Sequence, residues 1–319
     1  MAETGFCGPP LYNQLPLWLF FCTMIPSPAE LEYFLEVSNT LNVSRAAERL
    51  GISQPTLSLA IQRLEHTFGA ALLIRNKSGV KLTHTGQKLV AQARSLLHEW
   101  EKIRGDTLRD ESEIRGRYVI GCHVSVALYA LPRFLPRLME GHPALEIKLV
   151  HDLSRRITED VISFKVDFGI VVNPWQHPDL VIKPVCRDEV SLWVAKKPSA
   201  LQDPYTGDGI LICDPELLQS QSILKQLAKK GMKFKRTLTS SNLEVITAMV
   251  AAEGGVGILP ARVATRVKAL GLKPLGKESP RMFDQHSVVY RADAQKSKAS
   301  RLLSKTIEEA LKSVSPDGD

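Results

Sequence analysis

Between residues 29 and 68 the apolar positions repeat at the spacing of amphipathic helices. The first predicted helix carries an apolar stripe made of Leu31, Phe34, Leu35 and Val37. Asn42 and Gly51 bracket a short second helix, since asparagine caps helix N-termini and glycine readily adopts the left-handed conformation that ends helices. A third helix follows, and its apolar face consists of Leu57, Ile61, Leu64 and Phe68. The pattern therefore predicts three consecutive helices.

The second and third helices are separated by a short turn, Gly51-Ile52-Ser53. Ser53 can cap the third helix, and Pro55 falls in its first turn, where a missing amide hydrogen costs nothing. Two helices joined by a short glycine-containing turn are typical of a helix-turn-helix. A hairpin in a larger helical protein is the alternative, but the short turn, the polar start of the third helix and the local charge favour DNA binding.

Positive charge is concentrated around these helices. The chain has a formal net charge of +7, and between residues 44 and 88 seven side chains are basic and two are acidic. The basic residues are Arg45, Arg49, Arg63, Arg75, Lys77, Lys81 and Lys88. Because such an excess attracts phosphates, it supports a nucleic-acid partner for this part of the chain.

The segment LLIRNKSGVKLT follows Gly69 and has the pattern of a hairpin. Two β-forming runs flank Asn76-Lys77-Ser78-Gly79, which is typical of a turn. Arg75 and Lys77 near the tip, with Lys81 on the return, predict a basic wing beside the third helix. An ordinary solvated turn with surface lysines is the alternative for this stretch alone.

A long helix is predicted from Thr85 to about Asp110. Its apolar residues are spaced 4, 3, 4 and 3 apart, and they are Leu89, Ala93, Leu96, Trp100 and Ile103. This seven-residue repeat is the spacing of a two-helix coiled-coil seam. Packing against a domain of the same chain is the alternative, because the run covers only about two heptads.

Beyond residue 117 short apolar runs alternate with helical stretches, which predicts an α/β fold with largely parallel sheets. The predicted strands are residues 118–122, 145–150, 168–172, 190–194, 211–212 and 256–259. The predicted helices are residues 126–139, 157–164, 215–229, 242–253 and 296–314.

The length of 319 residues allows two or three domains. The cysteines are scattered, without a C-x-x-C pair, which argues against a disulfide framework or a zinc ribbon and favours a reducing cytosol. They are Cys7, Cys22, Cys122, Cys186 and Cys213. The apolar stretch from Leu15 to Ile25 lacks the positive flank of a signal peptide, since the first basic residue is Arg45, and it is too short to span a membrane. We expect residues 1–27 to be a flexible extension, and residues 1–23 need not belong to the native protein.

The run NVSRAAERLGISQPTLSLAIQRLEHTFGAALLIRNKSGVKLTHTGQKL resembles the winged helix-turn-helix of LysR-type transcriptional regulators. The matching features are the A-A-x-x-L of residues 46–50, Ser53-Gln54-Pro55, Ser58, Leu64-Glu65, Gly69, Arg75 and Leu82-Thr83-x-x-Gly86. Two features depart from the family pattern. Leu73-Ile74 replaces the usual Leu-Phe, and Leu59 is apolar where many members have a polar or basic residue.

This resemblance implies a multi-domain fold. An N-terminal α-helical winged helix-turn-helix is expected at residues 28–84, with a long linker and dimerisation helix at residues 85–110. An α/β effector domain of two periplasmic-binding-protein-like lobes is expected at residues 117–319. Family order assigns residues 117–188 and 284–319 to lobe one and residues 189–283 to lobe two. Residues 250–260, VAAEGGVGILP, parallel the family's Gly-x-Gly turn, with Glu253 in place of a frequent glycine.

The resemblance also implies roles in DNA binding. The residues expected to contact phosphates are Ser44, Arg45, Ser58, Arg75 and Lys77. Those expected to face base edges are Gln54, Pro55, Thr56, Leu59, Gln62 and Arg63, with Ser53 at the start of the same helix. Leu59 is a candidate reader of thymine methyl groups.

The effector is expected between the lobes, where helix N-termini meet strand ends. The candidate contacts are Ser125, Ser240, Ser241, Asn242 and Trp175. Helix capping is the alternative role for the serines and the asparagine, and packing of its loop is the alternative for Trp175. The expected effector is a small molecule. A carboxylate or similar anion would suit the hydroxyl and amides at these helix starts, and no metal or cofactor is expected. The other expected partners are double-stranded promoter DNA, RNA polymerase and a second copy of the chain in a homodimer or homotetramer, with no membrane association.

Three competing functions can be weighed from the sequence. An enzyme is disfavoured, because the chain has no G-x-S-x-G elbow, Walker motif, zinc pattern or complete G-x-G-x-x-G after a strand. A redox sensor within the same family would use Cys122, Cys186 or Cys213, whose spacing does not suggest a local pair. A solute-binding protein is the third, and the missing export signal counts against it. The effector, the regulated genes and the direction of regulation stay open.

Overall fold

A computed structural model describes residues 25–76, 79–107, 114–205, 208–276, 278–292, 294 and 297–313. The chain divides into two compact units, Met1–Glu101 and Lys102–Asp319. Within the described residues, no helix is long and apolar enough to cross a membrane. Most of the predicted N-terminal extension, together with Lys77 and the end of the predicted linker helix, lies outside the described residues.

The first unit is built from helices and one hairpin. Its helices are α1 (Pro28–Thr40), α2 (Val43–Leu50), α3 (Gln54–Phe68) and α4 (His84–Thr107), the last of which continues into the second unit. Its strands are β1 (Leu73–Asn76) and β2 (Gly79–Leu82), which pair antiparallel. The hydrophobic core of this unit also includes Leu89 and Ala93 from the first part of α4. Its other buried side chains include Phe34, Ala46, Leu57, Ile61, Leu64 and Leu72.

The predicted helix boundaries are confirmed by their caps. The Asn42 side chain accepts a hydrogen bond from the amide of Arg45, and Ser53 accepts one from Thr56. Gly51 has a φ of 67°, in the left-handed region. The inward position predicted for Phe68 is wrong: this side chain is 44% exposed. It lies in the last turn of α3, beyond the residues that form the core.

The second unit contains one mixed sheet. Its strands are β3 (Gly116–Cys122), β4 (Leu145–His151), β5 (Phe168–Val172), β6 (Leu180–Ala195), β7 (Ile210–Cys213), β8 (Arg236–Thr239), β9 (Val256–Pro260), β10 (Leu272–Pro274) and β11 (Arg281–Arg291). The order is β4-β3-β5-β11-β6-β9-β7-β8, with β10 paired to β6. Strand β3 is parallel to β4 and β5, and β7 is parallel to β8 and β9, whereas every pairing of β6 or β11 is antiparallel.

Helices cover this sheet. They are α5 (Val124–Ala130), α6 (Leu135–Gly141), α7 (Ser154–Ile162), α8 (Leu218–Lys229), α9 (Leu243–Ala251), α10 (Ala261–Thr265) and α11 (Lys298–Lys312). The single helix predicted over residues 126–139 is wrong, because a 3₁₀ turn at Leu131–Arg133 separates α5 from α6. Pro132 lies in the first turn of the 3₁₀ segment, and Pro136 lies in the first turn of α6. Because proline has no amide hydrogen, each interrupts the hydrogen bonds that a continuous helix would need.

The sequence did not predict β8, β10, β11 or the first half of β6. Strand β8 has four exposed residues and therefore no apolar pattern. Strands β6 and β11 are long and pair with each other over residues 180–191 of β6 and 281–291 of β11. They therefore join the two parallel halves of the sheet. The sheet is therefore mixed, and the expectation of largely parallel sheets holds only for its outer strands.

Candidate nucleic-acid interface and effector cleft

One face of α3 is buried and the other is open. Leu57, Ile61 and Leu64 have no exposed surface. The exposed face carries Gln54, Pro55, Thr56, Leu59, Gln62 and Arg63. Leu59 lies among them and is 49% exposed. The predicted base-reading residues thus share one accessible surface.

The N-terminus of α3 is held by side-chain hydrogen bonds. The Ser53 hydroxyl lies 2.8 Å from the Thr56 hydroxyl and accepts the Thr56 amide at 3.2 Å. The Ser44 hydroxyl on α2 donates to Oε1 of Gln54 at 3.1 Å. Because this bond occupies the amide oxygen, the NH₂ group of Gln54 is left to donate outward.

A concave surface with a volume of about 380 Å³ lies between the start of α2, the start of α3 and the hairpin. Its polar lining comprises Asn42, Ser44, Gln54, Ser58, Arg75 and Asn76. Four of the predicted DNA-contacting residues therefore meet in one place, while Arg45 and Arg63 are exposed beside it. A guanidinium surrounded by hydroxyl and amide groups is suited to a phosphate.

Glu65 has a structural role that the sequence did not reveal. Its Oε1 accepts the backbone amides of Leu72 at 2.8 Å and Leu73 at 3.2 Å, at the start of β1. The amide of Val80 on β2 donates to the Leu41 carbonyl at 3.0 Å. The hairpin is thereby fixed to α3 on one side and to the end of α1 on the other, so Arg75 is carried by a positioned strand.

The Leu-Thr-x-x-Gly motif attaches α4 to this hairpin. The Thr83 hydroxyl donates to the Ala71 carbonyl at 2.8 Å and accepts the Gly86 amide at 2.9 Å. A Cβ at Gly86 would lie 2.2 Å from the Leu72 carbonyl oxygen, so only glycine allows this approach.

The positive charges of the first unit are largely uncompensated. Arg49 forms an ion pair with Glu36 at 3.2 Å. Within the described residues, no ion pair engages Arg45, Arg63, Arg75, Lys81 or Lys88. Arg45 lies on α2, and Arg75 and Lys81 lie on the hairpin, so most of this charge stands outside α3.

The heptad positions of α4 have two different environments. Leu89 and Ala93 are 8% and 1% exposed and pack in the core of the first unit. Leu96 and Trp100 are 59% and 50% exposed. The side chain of Ile103 lies outside the described residues. The first half of the repeat therefore packs within the chain, as the alternative interpretation expected, and the second half remains open to a partner.

In the second unit, Ser125 lies near the start of α5 and is 2% exposed. Its hydroxyl donates to Oε2 of Glu244 in the first turn of α9 at 3.1 Å, and its amide donates to Nδ1 of His123 at 3.2 Å. Oε1 of Glu244 is buried without a hydrogen-bond partner within the described residues. Glu244, which the sequence did not single out, thus connects the two halves of the sheet; an acidic residue in a first helical turn is too common to signal this.

Ser240, Ser241 and Asn242 stand between β8 and α9. Asn242 caps α9 by accepting the amide of Val245 at 3.0 Å, and the Ser240 hydroxyl accepts the amide of Asn242 at 3.2 Å. Ser241 is exposed. The capping role is therefore present for Asn242, alongside the effector role that stays a prediction.

His123 lies among carboxylates. Burial lowers its pKa, and the negative charges of Glu244, Asp214 and Asp152 oppose that effect. Trp175 lies in the loop after β5 and is 38% exposed. Within the described residues, no hydrogen bond joins Trp175 to Ser125 or Asn242. The structure thus brings Ser125 close to the start of α9, but does not connect Trp175 with them by hydrogen bonds.

The three described cysteines are free thiols. Burial raises the pKa of Cys122 to about 12, and burial likewise raises the pKa values of Cys186 and Cys213. Since the thiolate is the reactive form, these environments suppress reactivity. No group of three or more histidine, cysteine or acidic side chains within the described residues is arranged to hold a metal ion.

Two segments of the chain match models of known protein families. Residues 28–87 match "Bacterial regulatory helix-turn-helix protein, lysR family", and residues 111–312 match "LysR substrate binding domain".

Curated relatives include a hydrogen peroxide-inducible genes activator of Haemophilus influenzae, which is 26% identical over 292 residues, covering 89% of this chain and 97% of the relative. The HTH-type transcriptional regulator BbuR of Bordetella bronchiseptica is 32% identical over 192 residues, covering 60% of this chain and 56% of that protein.

Solved structures share the fold at lower identity. ArgP from Mycobacterium tuberculosis has a TM-score of 0.66 at 15% identity, covering 91% of this chain and 98% of that one. A full-length OxyR variant from Pseudomonas aeruginosa has a TM-score of 0.64 at 22% identity, covering 91% and 96%. CbnR in complex with its target DNA has a TM-score of 0.57 at 19% identity, covering 91% and 100%. With its N-terminal helix-turn-helix and its C-terminal substrate-binding domain, the chain belongs to the LysR family of bacterial transcriptional regulators.

Proposed function

We propose that the chain binds promoter DNA in a sequence-specific manner through α3 and the β1–β2 hairpin, under the control of a small molecule bound in the second unit. The observation that carries the proposal is the concave surface lined by Ser44, Gln54, Ser58 and Arg75 beside the open face of α3. Phosphate contacts fix the register of a protein on DNA, whereas side chains in the major groove read the bases.

The division of labour on this surface follows from side-chain chemistry. Arg45, Arg75 and Lys77 contact phosphates, together with Ser58. Gln54 presents its NH₂ group to an acceptor on a base edge, because Ser44 already occupies its oxygen. Ser44 in this arrangement orients Gln54 in addition to its expected phosphate contact. Pro55, Thr56, Gln62 and Arg63 complete the reading surface, and Leu59 contacts thymine methyl groups.

The effector site is the cleft where Ser125 meets the start of α9. The Ser125–Glu244 hydrogen bond spans this cleft, so a ligand that inserts there has to replace it. Replacing it changes the arrangement of the two lobes, and a ligand shifts such an equilibrium by its differential affinity for the two arrangements. Ser240, Ser241, Asn242 and Trp175 are the further contacts of this proposal. The amides of Ser125 and Asn242 already donate to His123 and Ser240. An anionic effector would therefore have to replace these acceptors, with nearby carboxylates protonated or displaced.

The proposal includes assembly and location. The exposed half of α4 pairs with a second copy, giving a homodimer or homotetramer, and RNA polymerase is a further partner at the promoter. A role on chromosomal DNA places the protein in the cytoplasm. The chain acts by binding and not by catalysis. The raised pKa values of Cys122, Cys186 and Cys213 favour a bound effector over thiol oxidation as the signal.

The test is a salt titration of DNA binding. The full-length protein is mixed with a labelled duplex taken from the region upstream of its own gene, and binding is measured by fluorescence anisotropy from about 50 to 200 mM salt. Affinity is expected to fall at least 100-fold over this range, because several phosphates are neutralised and their counterions released. Binding that is absent, or insensitive to salt, would refute the DNA interface.

A further inference from the structure

The sheet of the second unit narrows to two strands at its middle. Strand β11 pairs with β5 only through residues 286–290, and β6 pairs with β9 only through residues 190–193. Residues 187–189 of β6 pair with residues 283–285 of β11, and within the described residues no third strand joins them. We call this two-stranded segment the waist. Since it is the narrowest part of the sheet, it is where the two halves can bend relative to one another.

The waist contains two buried carboxyl groups in directly opposed positions. Asp188 on β6 is the register partner of Asp284 on β11, and each residue is 1% exposed. Opposed residues on antiparallel strands have Cβ atoms about 5 Å apart, and like charges at such positions repel. Two carboxylates held this close and away from water favour binding of one shared proton.

Two neighbouring segments donate hydrogen bonds to the pair. From α10, the amide of Arg262 donates to both oxygens of Asp188 at 3.3 Å, and its guanidinium donates to the Arg187 carbonyl at 2.8 Å. From the loop after β5, Nδ2 of Asn173 donates to Oδ1 of Asp284 at 2.8 Å. Burial raises the pKa of Asp188 and of Asp284 to about 6, against the opposing influences of Arg262 and Asn173 respectively.

The remaining titratable groups near the pair come from α5 and from the two strands. On β11, His286 is 3% exposed, and its Nε2 lies 2.8 Å from the Tyr129 hydroxyl of α5. Burial, aided by Arg262, lowers the pKa of His286 to about 4, so its ring is neutral near pH 6. On β6, burial raises the pKa of Cys186, which therefore stays a thiol. The backbone amide of Glu189 donates a hydrogen bond to Asp188. Arg262 is thus the cation whose charge acts on Asp188.

Asn173 connects the waist to the loop that carries Trp175. Its amide donates to the Gln285 carbonyl at 2.9 Å, and its Oδ1 accepts the Gln285 amide at 2.8 Å. With Nδ2 on Asp284, the side chain is held at both ends, and the backbone has a left-handed φ of 50°. A charged acceptor holds a donor more strongly than a neutral one. The charge of Asp284 therefore helps to fix the start of this loop.

We propose that Asp188 and Asp284 form a proton-operated hinge, in which uptake of one shared proton relaxes the waist and releases the loop from Asn173 to Pro178. At higher pH the Asp284 carboxylate holds Asn173 firmly. At lower pH the singly protonated pair, with one negative charge shared between the two groups, holds it less firmly. Acidity thereby tunes the cleft edge at Trp175. The consequence for effector binding rests on the proposed function, whereas proton uptake and the loop response do not.

The test follows tryptophan fluorescence of the full-length protein between pH 5 and 8.5, with Trp175→Phe identifying the contribution of Trp175 among the four tryptophans. The wild type is expected to show a Trp175 transition with a midpoint near pH 6, the value to which burial raises the pKa of both carboxyls. Asp284→Asn removes it, because an amide cannot titrate, and Asp188→Asn shifts it to lower pH, because Asp284 then has no charged neighbour across the strands. Asp208→Asn is the matched control and keeps the transition, since this exposed carboxylate pairs with Lys235 at 3.2 Å, away from the waist.

Asn173→Ala provides the second test, because it leaves both carboxyl groups in place and cuts their connection to the loop. It is expected to abolish the Trp175 transition. This test remains valid even when circular dichroism shows that an aspartate variant is unfolded. A wild-type protein without a transition, or an unchanged transition in Asn173→Ala or in a folded aspartate variant, would overturn the hinge. DNA binding is measured separately at constant pH, so its failure would refute the DNA interface and leave this result intact.

Discussion

Gln54 and Gln62 both lie on the exposed face of α3, but their side chains differ in hydrogen bonding. The Ser44 hydroxyl donates to the side-chain oxygen of Gln54, whereas the side chain of Gln62 has no hydrogen bond within the described residues. Arg75 lies on the hairpin strand, exposed and without an ion pair in the described part of the chain. At the scale of single residues, base reading and phosphate binding are therefore separable.

Replacing Gln62 with alanine is expected to reduce discrimination between target and unrelated DNA by about 10-fold, since a good base contact is worth roughly 1–3 kcal/mol. Arg75→Ala is expected to weaken binding to both kinds of DNA and to lower the salt slope by about 1, because one phosphate contact is lost. The measurement is anisotropy with both duplexes at several salt concentrations. Equal losses on the two duplexes for Gln62→Ala would reject its base-reading role.

Glu65 on α3 supports the hairpin through two hydrogen bonds. Glu65→Ala leaves two backbone amides at the start of β1 without their acceptor, which costs about 2 kcal/mol. Amide hydrogens of residues 72 and 73 should then exchange roughly 30-fold faster. Glu65→Gln is the matched control, because it retains an acceptor oxygen and should show a smaller effect. Unchanged exchange in Glu65→Ala would show that the hairpin is fixed by other contacts.

At the scale of elements, α4 changes its environment along its length. Its beginning is fastened to the hairpin through Thr83 and Gly86, and Leu89 and Ala93 complete the core. The next two heptad positions, Leu96 and Trp100, are exposed in the single chain. Exposed apolar side chains at coiled-coil spacing gain free energy when a second helix covers them.

Trp100→Asp is therefore expected to shift the protein toward smaller assemblies, because an aspartate in the seam would be buried without a partner. Sedimentation velocity across a range of concentrations measures this shift. Glu99→Gln is the control, since it alters the neighbouring charge without changing the apolar repeat. An unchanged assembly in Trp100→Asp would assign the oligomer interface to the second unit.

At the scale of the whole molecule, the second unit carries buried charge at its waist. The pKa of Asp188 and of Asp284 is raised by burial from 3.8 to about 6. The folded state therefore binds protons more tightly than the unfolded chain. The stability contributed by each carboxyl is fully present below pH 3.8, is lost as pH rises to about 6, and stays lost above it.

Asp284→Asn removes this penalty. Its stability relative to wild type is expected to increase from about pH 4 to 6.5 and then to remain constant, with a maximum gain of about 3 kcal/mol, reduced by the weaker hydrogen bond to Asn173. Thermal unfolding of both proteins across this range measures the difference. The lowered pKa of His286 acts in the opposite direction but is common to both proteins, so it cancels. A difference that does not vary with pH would contradict the prediction.

Several parts of this molecule followed from the sequence alone. The helix-turn-helix could be predicted because its caps and apolar face depend on residues close together in the chain, as Asn42, Gly51 and Ser53 illustrate. Much of the alternation of strands and helices in the second half could be predicted for the same reason. The exceptions are the helix divided at Pro132 and Pro136, the strands β8, β10 and β11, and the first half of β6.

Other parts were decided only by the tertiary structure. Glu65 reaches backbone amides seven and eight residues away, Ser125 meets Glu244 across 119 residues, and Asp188 faces Asp284 across two paired strands. None of these partners can be inferred from local periodicity, because each pairing depends on how distant elements pack and on the register of β6 with β11. The sequence by itself determined the family and those helices and strands that have local caps and an apolar repeat. The tertiary structure decided the strands without such a pattern, β8, β10 and β11, and which charged side chains are buried, because burial depends on what covers a residue and not on its neighbours in the chain.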